Sequence, residues 1–61
     1  MYEKFEKLLK ERQVTAYQVA KATGIANSTF YEWRDGRYKP KVDKIQKIAE
    51  YFGVPLTYFY E

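Results

Sequence analysis

Apolar residues recur at helical spacing in several segments of the chain, and the first segment covers residues 2–12. Its apolar side chains follow the i, i+3 and i+4 pattern of an amphipathic helix, beginning at Tyr2 and Phe5. Two Glu–Lys pairs spaced four residues apart, beginning at Glu3 and Glu6, support the same helix. The pattern predicts that this helix stops near Gln13.

A helix-start signature follows directly. Thr15 is placed to cap a helix, Gln18 to bond back to the cap, and Val14 to pack against Val19. The second helix is predicted over residues 16–23. Gly24 follows it and is expected to take the left-handed conformation that ends many helices. Ile25 then supplies an apolar contact after the turn.

The third and fourth helices are predicted over residues 27–35 and 42–52, and a short fifth over 55–60. Phe30 and Trp33 point inward from the third helix, and Gly36 follows its end. The fourth helix carries one apolar stripe, formed by Val42, Ile45, Ile48, Ala49 and Phe52. Residues 55–60 leave room for one or two turns, with Pro55 at the first helical position.

These elements predict an all-α fold, a compact bundle of five short helices in one domain spanning residues 1–61. No linker or repeat divides the chain. The helical phase of Tyr2 and Tyr51 predicts that both rings lie in the core or at its edge. Tyr58 and Phe59 are expected to cover the bottom of the core.

Composition narrows the chemistry. The chain has no cysteine and no histidine, so disulfides, thiolate nucleophiles, imidazole bases and the usual zinc ligands are missing. We therefore expect no enzyme activity, no metal and no cofactor. No apolar run approaches the roughly 18 residues of a membrane span, and the N-terminal segment contains acidic residues where a signal peptide has none, so a cytoplasmic location is expected.

Charge is concentrated after the third helix. The net charge is +3, and the segment from Arg34 to Lys41 carries four basic residues against Asp35 alone. Such a segment is suited to meeting phosphate groups. The same composition also fits a solvated loop that is basic for solubility.

Two short helices joined by a Gly-containing turn form a helix-turn-helix, whose second helix has the size of the DNA major groove. Ala20 is small where the two helices cross, and Gly24 turns the chain. A plain pair of packed helices shows the same pattern. The basic segment that follows favours the DNA interpretation.

Four groups of residues resemble the lambda-repressor-like helix-turn-helix family of phage repressors, Cro proteins and related bacterial regulators. They are Gln18 to Ile25 at the turn, Ser28-Thr29-Phe30 leading to Trp33, Asp35-Gly36 with Pro40, and Ala49 with Phe52-Gly53-Val54. The likeness runs from about Phe5 to Phe59. It implies a five-helix fold in a bacterial or phage-encoded protein of the nucleoid, which binds duplex DNA as a dimer.

The resemblance assigns base contacts to Asn27 and Ser28 at the start of the third helix and to Glu32 one turn later, with Tyr31 beside them. Asn bonds adenine, Glu accepts from the cytosine amino group, and a Tyr ring packs on a thymine methyl. Two alternatives stay open. In the first, Asn27 caps the third helix instead of contacting a base, since Ala26 stands where Ser or Thr often does. In the second, Glu32 interacts with a partner in its own helix or with solvent instead of with cytosine.

Phosphate contacts are expected at both ends of this unit. Ala16 and Tyr17 begin the second helix, and Arg34, Arg37, Tyr38, Lys39 and Lys41 end or follow the third. Arg34 fits either a phosphate or a base.

Two departures from the family pattern affect the fold. Gln13 stands where Gly is frequent, at a cost of about 1 kcal/mol if the backbone there is left-handed. Leu9 and Arg34 occupy the places of an ion pair between the first and third helices, so apolar packing is expected to replace it.

The leading function is transcription regulation, by a repressor that binds double-stranded DNA as a homodimer on an inverted repeat. The C-terminal aromatic residues, with Tyr58 and Tyr60 as possible dimer contacts, either join two copies or fray. The alternative function is a protein-interaction module that uses the tyrosine-rich surface of Tyr17, Tyr31 and Tyr38.

Overall fold

A computed structural model describes residues 1–61 and contains helices without any strand. The all-α prediction is confirmed. The elements are α1 (Tyr2–Arg12), α2 (Ala16–Thr23), α3 (Asn27–Arg34), α4 (Val42–Phe52) and a final 3-10 helix (Leu56–Tyr60).

Two ends differ from the prediction. Helix α3 stops at Arg34, one residue early, because Asp35 already makes the turn that leads into Gly36. The fifth element is a 3-10 helix that begins after Pro55, which serves as its N-cap instead of its first residue. The amide of Tyr58 bonds the carbonyl of Pro55, three residues back, at 3.0 Å. That tighter pattern suits so short a segment.

The core is built around Phe5 of α1, which is fully buried. Its ring stacks on Phe30 of α3 at 5.1 Å between centroids and meets Phe52 of α4 edge-on at 6.2 Å. Trp33 lies 5.3 Å away on the same side of α3. Aromatic contacts of this kind join three helices through one side chain.

Twelve apolar side chains are buried in a single cluster that draws on every helix. They are Phe5, Leu8, Val19, Ala20, Ile25, Phe30, Trp33, Ile45, Ile48, Ala49, Phe52 and Phe59. Tyr2 and Tyr58 are half-buried against this cluster, as predicted for both.

The predictions for Val42 and Tyr51 were wrong, because both side chains are exposed, at 57% and 39%. Val42 lies in the first turn of α4, beyond the end of the core. Tyr51 lies more than 90° around the helix from the line through Ile45 and Phe52, at 100° per residue. Its ring meets solvent on one side and the edge of Phe52 on the other, with centroids 5.0 Å apart.

The helix-start signature of α2 is confirmed. The Gln18 amide donates to Thr15 Oγ1 at 3.1 Å, and the Thr15 amide donates to Gln18 Oε1 at 2.8 Å. Gly24 ends the helix with φ 79°, and the buried Ile25 follows. Val14 is partly buried against the core cluster, to which Val19 belongs.

Gln13, which stands where Gly is frequent in the family, has a left-handed backbone conformation with φ 56° and ψ 45°. It is the one non-glycine residue of the chain with positive φ. The turn allows the Val14 amide to bond the Leu9 carbonyl at 3.0 Å, which closes α1 and directs the chain into α2.

None of these helices combines the length and the apolar character that crossing a membrane requires.

Candidate nucleic-acid interface

Helices α2 and α3 form the helix-turn-helix, with residues 24–26 as the turn. Val19 and Ala20 of α2 and Phe30 and Trp33 of α3 are buried, so the same face of each helix points to the core. The opposite face of α3 is therefore presented outward.

Three of the four residues predicted to contact bases lie on that outward face. Ser28, Tyr31 and Glu32 are exposed, Tyr31 at 50%. The Glu32 carboxylate takes part in no hydrogen bond or ion pair within the protein, so the intrahelical alternative is not observed. Its charge is available to a group from outside, such as the amino group of cytosine.

Asn27 is half-buried, and its Oδ1 atom is buried without a hydrogen-bond partner. Ala26 is the N-cap of α3, and no side chain caps that helix. The alternative in which Asn27 caps α3 is therefore not observed. Reading adenine with both amide atoms requires Oδ1 to turn outward, because a buried acceptor cannot reach a base edge.

Arg34 is held by its neighbours on α3. Its guanidinium lies 5.2 Å from the centroid of the Tyr31 ring, and its Nε atom donates to Asp35 Oδ1 at 3.2 Å. Leu9, at the other place of the family's ion pair, packs against the core. The missing pair is thus replaced by apolar packing on α1 and by local contacts on α3.

Asp35 also accepts a hydrogen bond from Arg37, with 3.3 Å between Nη2 and Oδ2. Lys39 and Lys41 are exposed and form no ion pair. Pro40 between them is buried, which fixes the path of the loop between α3 and α4. The basic segment is therefore anchored, with two free ammonium groups at its far end.

Tyr38 is half-buried beside Lys44 of α4. Lys44 Nζ donates to the Tyr38 hydroxyl at 3.4 Å and lies 5.6 Å from the ring centroid. Lys44 was not among the predicted contacts, because the five residues between it and Tyr38 include a loop and Pro40. Only the fold brings this cation to the basic segment.

At the start of α2, Ala16 is half-buried and Tyr17 is 58% exposed. The capping box occupies the amides of Thr15 and Gln18, which leaves the first two amides of α2 for an outside acceptor. Lys21 Nζ lies 5.7 Å from the Tyr17 ring centroid. Lys21 was not among the predicted contacts, although its spacing of four residues from Tyr17 was a usable signal.

The two tyrosines predicted as dimer contacts differ in their surroundings. Tyr58 packs against the core, and Lys4 Nζ lies 5.0 Å from its ring centroid, so this ring meets its own chain. Tyr60 is 51% exposed. Phe59, buried between them, anchors the 3-10 helix. Of the pair, Tyr60 is the more exposed.

A shallow depression of about 310 Å³ lies between α2 and α4. It is lined by Ala22, Thr23, Lys47, Glu50 and Tyr51. None of the residues predicted to contact DNA belongs to it, so the outward face of α3 and this depression are separate surfaces.

Comparison with known proteins agrees with this geometry. A family model described as a helix-turn-helix domain matches residues 2–61. The chain is 30% identical over 54 residues to the cryptic phage CTXphi transcriptional repressor RstR of Vibrio cholerae, covering 88% of this chain and 49% of that relative. It thus spans about half the length of the curated relative. No solved structure matches.

Proposed function

The chain belongs to the helix-turn-helix domain family, and we propose that it regulates transcription by binding double-stranded DNA with α3 in the major groove. One observation carries the proposal. The exposed row of Ser28, Tyr31 and Glu32 on α3 is followed along the chain by the basic segment, in which Lys39 and Lys41 are exposed and form no ion pair. This order along the chain supports an assignment of base contacts to α3 and of phosphate contacts to the basic segment.

In this proposal Ser28 and Glu32 bond base edges and the Tyr31 ring packs on a thymine methyl. Asn27 joins them once its amide turns outward. The backbone is bound from two sides of the groove, by α2 and by the basic segment. The residues assigned to phosphates are Ala16, Tyr17, Arg34, Arg37, Tyr38, Lys39 and Lys41.

The similar protein from Vibrio cholerae is described as a transcriptional repressor. We extend that role to this chain, as a homodimer on an inverted repeat. A single recognition helix contacts one half-site, which gives limited discrimination among the many sites of a genome. A second copy doubles the base contacts, and the exposed Tyr60 is available to join the two copies.

The proposal is tested by selecting duplexes from a random DNA pool with the purified chain at low salt. Enrichment of an inverted repeat is the expected result, and the spacing of its halves gives the geometry of the dimer. Enrichment of a single short motif would support sequence-specific DNA binding and contradict the proposed dimer. A chain that retains no duplex, with no dependence on salt, would overturn the proposal.

The exposure of Tyr17 and Tyr31 gives the protein-interaction alternative its specific support, since tyrosine is frequent at protein interfaces. That alternative predicts no selected DNA motif. It also predicts that neutralising Lys39 and Lys41 has little effect on the affinity for the protein partner.

A further inference from the structure

The carboxylate of Asp35 lies between two guanidinium groups, 3.2 Å from Arg34 Nε and 3.3 Å from Arg37 Nη2. We infer that Asp35 restrains these two arginines in the free protein and thereby lowers its affinity for DNA of every sequence. The inference rests on the proposed function. Asp35 was not among the residues predicted to contact DNA. In this inference it weakens the binding of phosphate by the basic segment.

The backbone builds this arrangement. The Asp35 amide donates to the Tyr31 carbonyl at 3.0 Å, and the Arg37 amide donates to the Glu32 carbonyl at 2.9 Å. Gly36 between them has φ 78°, which turns the chain back on the end of α3. Arg37 is therefore brought alongside α3, where its side chain reaches the carboxylate that Arg34 also contacts.

Each ion pair uses a hydrogen-bond donor that a phosphate would otherwise receive. Arg34 gives its Nε atom and Arg37 one of its terminal nitrogens, so neither guanidinium offers all of its donors. The carboxylate also repels any phosphate that approaches the arginines. Lys39 and Lys41 lie outside these pairs.

The pairs restrain the arginines without blocking them. The side chains of Arg34, Arg37 and Asp35 are 52%, 71% and 40% exposed. Ion pairs exposed to this extent are weak, so a phosphate displaces them readily. Phosphate contacts carry no sequence information, so the restraint lowers binding to specific and random duplexes alike.

The test compares the unaltered chain with Asp35→Asn on a selected duplex and on a random duplex of equal length. Asp35→Asn is expected to bind both duplexes about threefold to tenfold more tightly at low salt. The slope of log K against log salt is expected to steepen by up to about 0.9, because the variant no longer keeps one negative charge beside the bound phosphates. Glu11→Gln, the same charge change at an exposed residue of α1 outside any ion pair, is the matched control and is expected to shift affinity less than twofold.

A second comparison places Asp35→Asn in an Arg37→Gln background. The gain is expected to shrink there, because one of the two restrained groups is gone. An equal gain in both backgrounds would show that the carboxylate acts by charge repulsion alone, without restraining Arg37, and would overturn the inference. So would a loss of affinity in Asp35→Asn, since the carboxylate would then position the arginines for phosphate instead of withholding them.

Failure of the proposed function has a different signature. An unaltered chain that binds neither duplex removes the proposed function and this inference together. If the unaltered chain binds DNA and the Asp35→Asn variant binds it equally or less tightly, the inference is overturned and the proposed function stands. Thermal unfolding of each variant separates a change in binding from a change in folding.

Discussion

The guanidinium of Arg12 donates a hydrogen bond to the backbone carbonyl of Phe52, with 3.0 Å between Nη1 and the oxygen. The bond joins the last residue of α1 to the last residue of α4, forty positions along the chain. The carbonyl is one of the four at the end of a helix that lack a partner within it, and the positive charge also suits the negative end of the helix dipole.

We expect Arg12→Ala to lower the free energy of unfolding by about 1 kcal/mol, because the Phe52 carbonyl loses its charged donor. Urea denaturation measures the change. Lys10→Ala is the matched control, since Lys10 is also basic, exposed and in the last turn of α1. Equal effects of the two substitutions would show that the hydrogen bond contributes nothing.

Gln13→Gly is expected to raise the free energy of unfolding by about 0.5 to 1 kcal/mol, because glycine adopts the left-handed conformation without a Cβ penalty. The reverse change, Gly53→Ala, is expected to lower it by about 1 kcal/mol. Gly53 has φ 72°, and a Cβ placed there meets no atom within 4 Å, so its cost is one of backbone conformation. Thermal and urea unfolding of both variants test the pair. Stabilisation by Gly53→Ala would contradict the argument.

Asn27→Ala is expected to leave the free energy of unfolding within about 0.5 kcal/mol of the unaltered chain, or to raise it. The side chain holds a buried acceptor without a partner, so its removal costs the fold little. Binding to a selected duplex is expected to weaken by about tenfold, the lower range for one base contact. Ser28→Ala, one residue on and fully at the surface, is the comparison. Unchanged binding by Asn27→Ala would remove Asn27 from the base-contact set.

The double substitution of Lys39 and Lys41 to alanine is expected to weaken binding to all duplexes by the same factor. The slope of log K against log salt should become shallower by about 2, since two phosphates lose their cations. Double alanine substitution of Lys7 and Lys10, which removes equal charge from α1, serves as control. A change in sequence preference, with the slope unaltered, would place the two lysines at base edges.

Stability at high pH is expected to depend on Tyr2. Burial, and then the nearby Glu6 carboxylate, raise the pKa of Tyr2 above its ordinary value of 10.0, while Arg34 opposes them. Above about pH 10 the unfolded chain therefore loses this proton while the folded protein keeps it, and stability falls as pH rises.

Tyr2→Phe removes this part of the pH dependence, and urea denaturation between pH 8 and pH 11 measures it. The ring keeps its edge-on contact with Trp33, where the centroids are 5.2 Å apart. Tyr60→Phe, at an exposed ring, is expected to leave the dependence in place. A stability curve of Tyr2→Phe parallel to that of the unaltered chain would contradict the assignment.

Helix boundaries were predictable because their causes are local. The Thr15–Gln18 capping box, the turn at Gly24 and the apolar spacing of α1 each involve residues within one or two turns of one another. The outward face of α3 followed from the same periodicity, once Phe30 and Trp33 were assigned to the core. The core position of a residue near a helix end, such as Val42, did not follow, because periodicity gives direction without saying how far the core extends.

The contact partners of the candidate interface were less predictable. Tyr38 meets Lys44 across a loop, and Arg34 turns to Asp35 and the Tyr31 ring. Side-chain partners of this kind depend on small differences in distance, which a linear pattern does not encode. The burial of Asn27 Oδ1 is a further example, since helix position alone favoured either a cap or a base contact.

The sequence by itself determined the order of the helices, most of their ends, the helix-turn-helix and the place of the basic segment, because hydrophobic spacing, caps and charge are properties of neighbouring residues. The tertiary structure alone decided which ends of the helices meet, as in the bond from Arg12 to Phe52. It also decided which charges pair and which stay free. Those outcomes depend on the packing of the helices around one apolar cluster, which brings residues distant in the chain close together in space.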